Sequence, residues 1–398
     1  MNKNISLTAF TVTTALGAGL SPNREALKQS RTGLKKNGFA GIEFDTYIGQ
    51  VDGVDDVILP EEQADFNCRN NRLAELSLRQ DGIFDAIDEL KVRYGANRIG
   101  LFIGTSTSGI QQTEMAYAMR ASETDELPAW FKYETTHDVF SPATFLVNRL
   151  GLCGPSQIIS TACSSSARVF AAAARHIHAG LCDAAIVGGV DSLCQTTLYG
   201  FNALQLVSNK LCCPADVDRD GINIGEAAGF VLLEKGHQEN ALSLLGVGES
   251  SDAWHMSSPH PQGEGAVQAM QQALTRANLE PAQIDYINLH GTATPVNDFT
   301  EDQAMMTVFS GNNPCSSTKG FTGHTLGAAG IVGAVFSCLF IEENLLPISL
   351  NTQRIDSKIH SNIMLEANSE TKSEIDIVMS NCFGFGGSNA SLIIGRPT

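Results

Sequence analysis

Three short segments hold residues suited to nucleophilic chemistry. In Ser160-Thr161-Ala162-Cys163-Ser164-Ser165-Ser166-Ala167, a cysteine lies between an apolar run, Gln157-Ile158-Ile159, and an alanine-rich run reaching Ile177. That order reads as strand, turn and helix. It puts Cys163 at a helix N-terminus, where the dipole and free N–H groups favour a thiolate. Tyr286-Ile287-Asn288-Leu289-His290-Gly291-Thr292 reads as a strand ending in a histidine. Ser317-Thr318-Lys319-Gly320-Phe321-Thr322-Gly323-His324 reads as a glycine-rich turn that carries a lysine and a second histidine into an apolar helix. Taken singly, each is an ordinary structural residue, since buried inert cysteines are the commoner kind. Together they supply a nucleophile, two N–H donors and a cation.

The elements that must position these residues form a weak internal repeat. Ser160-Thr161 leads into Cys163 and a small-residue helix; Ser317-Thr318 leads into Lys319, His324 and another, Leu326 to Leu339. Strands alternate with helices throughout, which predicts an α/β protein of sheets sandwiched by helices. The expected division is residues 1–240, with the cysteine, and residues 241–398, with both histidines and the lysine.

Composition narrows the function classes. The 398 residues suffice for two core-sized units. A formal net charge of −17 argues against a nucleic-acid partner. The apolar run Gly327 to Ile341 is short for a bilayer span and ends in Glu342-Glu343. Met1-Asn2-Lys3-Asn4 has no apolar signal core behind it, so a cytoplasmic protein without membrane attachment is expected. Ten scattered cysteines show no metal-ligand spacing, and adjacent Cys212-Cys213 is poor geometry for a disulfide. Reduced thiols and no bound metal are expected. His176 and His178, beside the alanine-rich run, read as solvent or subunit contacts.

The motifs Thr161-Ala162-Cys163-Ser164-Ser165, His290-Gly291-Thr292, Lys319 to His324 and Gly384-Phe385-Gly386-Gly387 occur in that order. In this the chain resembles the β-ketoacyl-acyl carrier protein synthases of the condensing-enzyme, or thiolase-fold, superfamily, and among them the elongating Cys-His-His type. The resemblance runs from Ser6-Leu7-Thr8-Ala9-Phe10 to Ala390. It implies a thiolase-like five-layered α-β-α-β-α arrangement of two pseudo-repeated halves with mixed sheets. It implies that Cys163 carries an acyl chain as a thioester. His290 and His324 would then stabilise the enolate formed as a malonyl unit loses carbon dioxide. The backbone N–H groups of Cys163 and Phe385 would form an oxyanion hole, with Phe385 as a gate. Lys319 would hold His324 in place and neutral.

By the same resemblance Asp298, Glu301 and Glu226 support the site, together with the loop Asp218-Arg219-Asp220-Gly221. Thr107 and Phe201 would line the acyl pocket. The substrates arrive on the phosphopantetheine of acyl carrier protein, so no other cofactor is implied. That acidic carrier needs local cations on an acidic enzyme. Arg69 and Arg72 match the family's docking positions, with Arg120 and Lys132 as weaker candidates. A dimer is implied, either of identical chains or with a related non-catalytic subunit, joined through edge strands of the first half.

Two departures stand out. Gly333 replaces a glutamate usual in the family, which puts a bound cation in doubt. The first motif, Phe10-Thr11-Val12-Thr13-Thr14-Ala15-Leu16-Gly17, lacks the usual Thr-Pro. Both suggest a specialised pathway, such as aryl polyene or type II polyketide elongation, beside the default of fatty acid elongation. A non-catalytic chain-length partner would lack Cys163. A thiolase would need a second late catalytic cysteine, and Cys382 does not match that pattern. A Cys-His-Asn starter synthase is disfavoured by His324.

Overall fold

The computed structural model describes residues 5–366 and 374–397; residues 1–4, read above for a signal core, lie outside them. Among the described residues, ten strands of the large sheet fall in two sets of five along the chain. The first set is β1 (Ile5–Thr14), β2 (Ile99–Gly104), β3 (Ser156–Ile159), β4 (Ala184–Asp191) and β5 (Ala227–Lys235). The second is β6 (Leu242–Ser251), β7 (Tyr286–Asn288), β8 (Cys315–Ser316), β9 (Ile377–Gly384) and β10 (Ser388–Gly395).

They lie side by side in the order β8-β7-β9-β10-β6-β1-β5-β4-β2-β3. Each strand of the first set thus has its counterpart five places on, about a centre between β1 and β6. The pairings repeat as well. β2 is parallel to β3 and β4, as β7 is to β8 and β9, and the remaining pairs are antiparallel. Two sheets were expected. The structure joins them into one path through a short antiparallel contact, Ser6 to Ser243 and Leu7 to Leu242. The chain crosses between the halves in residues 236–241.

Side-chain alternation along the strands builds the layers. Leu101 and Ile103 of β2 pack outward against α1 (Arg69–Leu78) and α2 (Ile83–Tyr94). Phe102, between them, faces inward to the central core. In the second half, Met379 and Ile393 face α4 (Glu264–Ala277) and α5 (Pro295–Phe309). Val378 and Leu392 point inward. Between the half-sheets lie α3 (Ser165–His178) and α6 (Ala329–Glu343), the helices that follow β3 and β8. The result is the five-layered α-β-α-β-α stack. α6 is apolar on all sides because every side of it is buried, as a central helix requires. Leu326–Glu343 is apolar enough to span a bilayer, yet 83% of it is buried inside the protein. The two central helices touch at small residues: a Cβ on Gly330 would overlap the backbone of Ala167. This crossing brings the N-terminal ends of both helices together.

Candidate active site

The site lies beyond the carboxyl ends of the parallel strands, where open α/β sheets place ligands. Cys163 follows β3 in a tight turn. Its predecessor, Ala162, adopts φ 50°, a left-handed conformation costly for a residue with a Cβ. The serines around it hold that turn. Ser165 Oγ accepts from Thr161 N–H at 2.9 Å and donates to the Ala162 carbonyl at 2.6 Å. Ser164 Oγ donates to the Thr161 carbonyl at 2.9 Å. Ala293 (φ 64°), Leu326 (φ 51°) and Ser108 (φ 44°) are strained likewise, each beside a site segment.

His324 Nε2 lies 3.0 Å from Cys163 Sγ. Its Nδ1 accepts the Leu326 N–H at 3.1 Å, so the ring proton sits on Nε2, facing the sulfur. The His324 backbone is pinned to the loop before β5: its N–H donates to the Asn223 carbonyl at 2.7 Å, and its carbonyl accepts from Gly225 at 3.0 Å. The His290 and His324 rings are perpendicular, with centroids 5.4 Å apart. One ligand atom each of Cys163, His290 and His324 falls within 4.8 Å of the others. Burial, helped by Lys319, holds both imidazoles far below their ordinary titration range, so both are neutral donors at neutral pH.

The cysteine departs from expectation. Burial pushes its thiol up to about 11, outweighing Lys319 and the backbone N–H groups of Phe385 and Cys163, which all favour the thiolate. Both of those N–H groups lie within hydrogen-bond reach of the thiol. Lys319 reaches His324 through its charge, as expected, but its hydrogen bond is elsewhere: the ammonium donates to the His290 carbonyl.

The supporting carboxylates act on the backbone. Glu301 accepts from the His290 and Gly291 N–H groups at 2.8 and 2.7 Å, and burial pushes its carboxyl up to about 7. Asp298 accepts from Ala215 at 2.8 Å and Ala293 at 3.1 Å, with Arg219 3.7 Å away. Glu226 stands apart from the histidines. It accepts from Val51 and Leu193 N–H groups, each at 2.9 Å, and pairs with Arg69.

That pairing removes Arg69 from the docking assignment. Arg69 is 2% exposed and forks onto Glu226 at 2.6 and 2.9 Å, with Asp55 at 2.8 Å. Arg72 is spent on Asp55, Asn67 and the Val54 carbonyl. Arg69 opens α1, whose inner face had to be buried against β5, and a buried cation requires a buried partner. Arg120 pairs with Asp125 at 3.2 Å, and Lys132 is exposed.

An apolar cavity of about 200 Å³ opens onto Cys163, lined by Phe201, Leu206, Ile222, Thr292, Thr294 and Phe385 among others. Phe201 and Phe385, both in that lining, meet with ring centroids 5.5 Å apart. Thr107 is absent from that lining; it is buried, and its hydroxyl donates to Asp191 at 2.9 Å. Asp191 itself went unread in the sequence. A carboxylate closing the otherwise apolar run Ala184–Val190 was the signal. Gly333 faces Ser380 and Asn288, where a Cβ would come within 2.5 Å of Ser380 Oγ. All ten cysteines are free thiols, and only Cys153 is exposed.

Comparison with known proteins agrees with this geometry. Residues 79–239 match the β-ketoacyl synthase N-terminal domain and residues 242–353 its C-terminal domain. The 3-oxoacyl-[acyl-carrier-protein] synthase 2 of Rhizobium meliloti (strain 1021) is 35% identical over 316 residues, 75% of this chain and 74% of that protein. The ketosynthase ApeO, solved in complex with its chain length factor ApeC from Xenorhabdus doucetiae, is 38% identical. Its TM-score is 0.90, over 99% of this chain and 98% of that one. A β-ketoacyl synthase from Burkholderia phymatum STM815 is 27% identical, with a TM-score of 0.86 over all of both chains.

Proposed function

The chain belongs to the β-ketoacyl synthase family, and we propose that it condenses an acyl group held on Cys163 with a malonyl unit carried by acyl carrier protein. The observation that carries this reading is the Cys163 sulfur facing the Nε2 of a neutral His324 at 3.0 Å, with His290 beside it.

In the first half-reaction the Cys163 sulfur attacks the carrier's acyl thioester. The tetrahedral oxyanion sits between the N–H groups of Cys163 and Phe385. The carrier's sulfur leaves as a thiol, taking the cysteine's proton. In the second, a malonyl thioester places its carbonyl oxygen against His324 Nε2 and the His290 ring beside it. The bond to the carboxylate breaks, carbon dioxide leaves, and the electron pair becomes an enolate. Neutral N–H donors suit that oxyanion, since they stabilise charge as it forms. The enolate carbon attacks the Cys163 thioester, and the cysteine sulfur departs as a thiolate that takes one proton from water, the proton that the net reaction consumes. Burial, with the Lys319 charge, keeps both rings neutral, and the Lys319 ammonium braces the His290 backbone.

A second reading concerns the pathway. The match to ApeO extends over 99% of the chain. Much of segment 115–140 also leaves large apolar side chains exposed, among them Met119, Tyr133 and Phe140. The exposed apolar surface suits a dimer of either kind; the likeness to ApeO favours pairing with a chain-length subunit, in an aryl polyene or type II polyketide pathway, over a homodimeric fatty acid synthase. The test is to purify the chain alone and co-expressed with a cysteine-less relative. Each preparation is offered a panel of acyl carrier protein thioesters, and the acyl group on Cys163 is read by mass spectrometry. Activity confined to the co-expressed form supports the paired reading; an active homodimer rejects it. No acylation of Cys163 in either rejects the condensing role.

A further inference from the structure

Asp191 is fully buried at the end of β4, and donors converge on both of its oxygens. Oδ1 accepts from Thr105 Oγ1 at 2.7 Å, Ser106 N at 2.8 Å, and the nitrogen and hydroxyl of Thr107, both at 2.9 Å. Oδ2 accepts from Ser106 Oγ and from Gly327 N at 2.6 Å. One carboxylate thus ties the loop after β2 to the turn that opens the second central helix.

That turn sets His324. Gly327 is bonded to Leu326, which sits at φ 51° and donates its N–H to His324 Nδ1. A peptide strained in this way persists only if its surroundings fix it. The fixing contact is the Asp191 carboxylate on the next N–H along. The approach is close enough to require glycine: a Cβ at 327 would lie 2.7 Å from Asp191 Oδ2 and 2.8 Å from Ser106 N. If the turn relaxed, Leu326 N–H would leave Nδ1, and nothing would hold the ring proton on the nitrogen facing Cys163.

We propose that Asp191 is a positioning residue for His324, acting through the Gly327 and Leu326 N–H groups to fix both the tautomer and the direction of its Nε2–H. The proposal rests on the role given above to His324 as donor to the developing enolate. The loop on Oδ1 is a separate anchor, which the test exploits.

The experiment measures the two half-reactions separately on the full-length enzyme: acylation of Cys163 by mass spectrometry, and carbon dioxide release from malonyl-acyl carrier protein. Asp191→Asn keeps the shape and replaces one acceptor by a donor. Gly327→Ala presses on the same contact from the other side, and serves if Asp191→Asn does not fold. Thr107→Ala removes one Oδ1 contact and a 3.4 Å acceptor for the Ser192 N–H, and leaves both Oδ2 contacts in place. Expected is a fall in decarboxylation of at least tenfold in Asp191→Asn or Gly327→Ala. The KM for the malonyl carrier should be unchanged, and acylation should stay within about twofold of the parent. Thr107→Ala should leave both half-reactions within about twofold. Equal loss of both half-reactions in the folded variants, or loss of neither, overturns the proposal. His324→Ala distinguishes the two levels. If it decarboxylates like the parent, the role of His324 is wrong; if it does not and Asp191→Asn does, only the positioning role is wrong.

Discussion

The proton of His324 is aimed by a main-chain group: Leu326 N–H occupies Nδ1 and leaves Nε2–H pointing at the Cys163 sulfur, 3.0 Å away. The nucleophile and the donor come from equivalent places in the two halves, the turns after β3 and β8. Each half therefore supplies one part of a site that neither could form alone.

The two half-reactions should come apart under mutation. Cys163→Ala is expected to abolish acyl transfer while still releasing carbon dioxide from malonyl-acyl carrier protein. His290→Ala should keep acylation and lose decarboxylation by about 10²–10³-fold, the usual scale for removing one oxyanion donor. A His290→Ala enzyme that decarboxylates like the parent would remove His290 from the enolate site.

Thiol labelling should separate exposure from reactivity. Cys153 is the one exposed cysteine, so a bulky polar alkylating agent near neutral pH should mark it first. Cys163, buried and pushed up to about 11, should label slowly with that reagent, its rate rising steeply with pH towards 11. Mass mapping of the labelled peptides between pH 7 and 10 checks this. A plateau for Cys163 below pH 8 would contradict it.

Arg69 should matter for stability. Arg69→Ala leaves Glu226 buried without its cation, a loss expected to cost about 3–5 kcal/mol. Denaturant unfolding measures the loss. The KM for the carrier protein, measured on the folded fraction, should stay within about twofold; a large rise with intact stability would restore Arg69 as a docking residue.

The site should also shape stability against pH. Both histidines are held below 6.5 in the fold, so below that pH the unfolded chain binds the extra protons. Their contribution is fully present above about 6.5 and is lost as pH falls, by up to about 1.4 kcal/mol per pH unit for each. Glu301, pushed up to about 7, acts oppositely between 4.5 and 7, where the folded state holds the extra proton. Urea midpoints from pH 5 to 8 should therefore fall less steeply on acidification for His324→Ala than for the parent. Identical slopes would mean that His324 is not held neutral.

Gly333 offers a local test of packing. Gly333→Ala places a methyl 2.5 Å from Ser380 Oγ on a buried helix face, for an expected loss of about 1–3 kcal/mol. Ser380→Ala in the same chain should recover much of it. A Gly333→Ala protein as stable as the parent would show that Ser380 gives way freely.

The sequence by itself determined the chemistry-bearing residues. Cys163, His290, Lys319 and His324 each sit in a run of neighbours that dictates the local turn, and the repeated Ser-Thr entry into a small-residue helix announced two halves. Alternating strands and helices predicted only sheets sandwiched by helices; the five layers were implied by the resemblance to the thiolase-fold synthases, because periodicity along a chain does not say how its sheets stack. Only the tertiary structure decided what depends on burial and on contacts distant in sequence. Whether the thiol of Cys163 is lowered by its helix or raised by its surroundings is a contest between a local dipole and desolvation by the whole core, and desolvation wins. Arg69 looked like a surface cation until α1 was packed against β5 and met Glu226, 157 residues away. Asp191 lies 136 residues from Gly327, whose N–H it accepts. A carboxylate gathering donors from two distant loops has no local pattern, because its partners are chosen by how the layers stack.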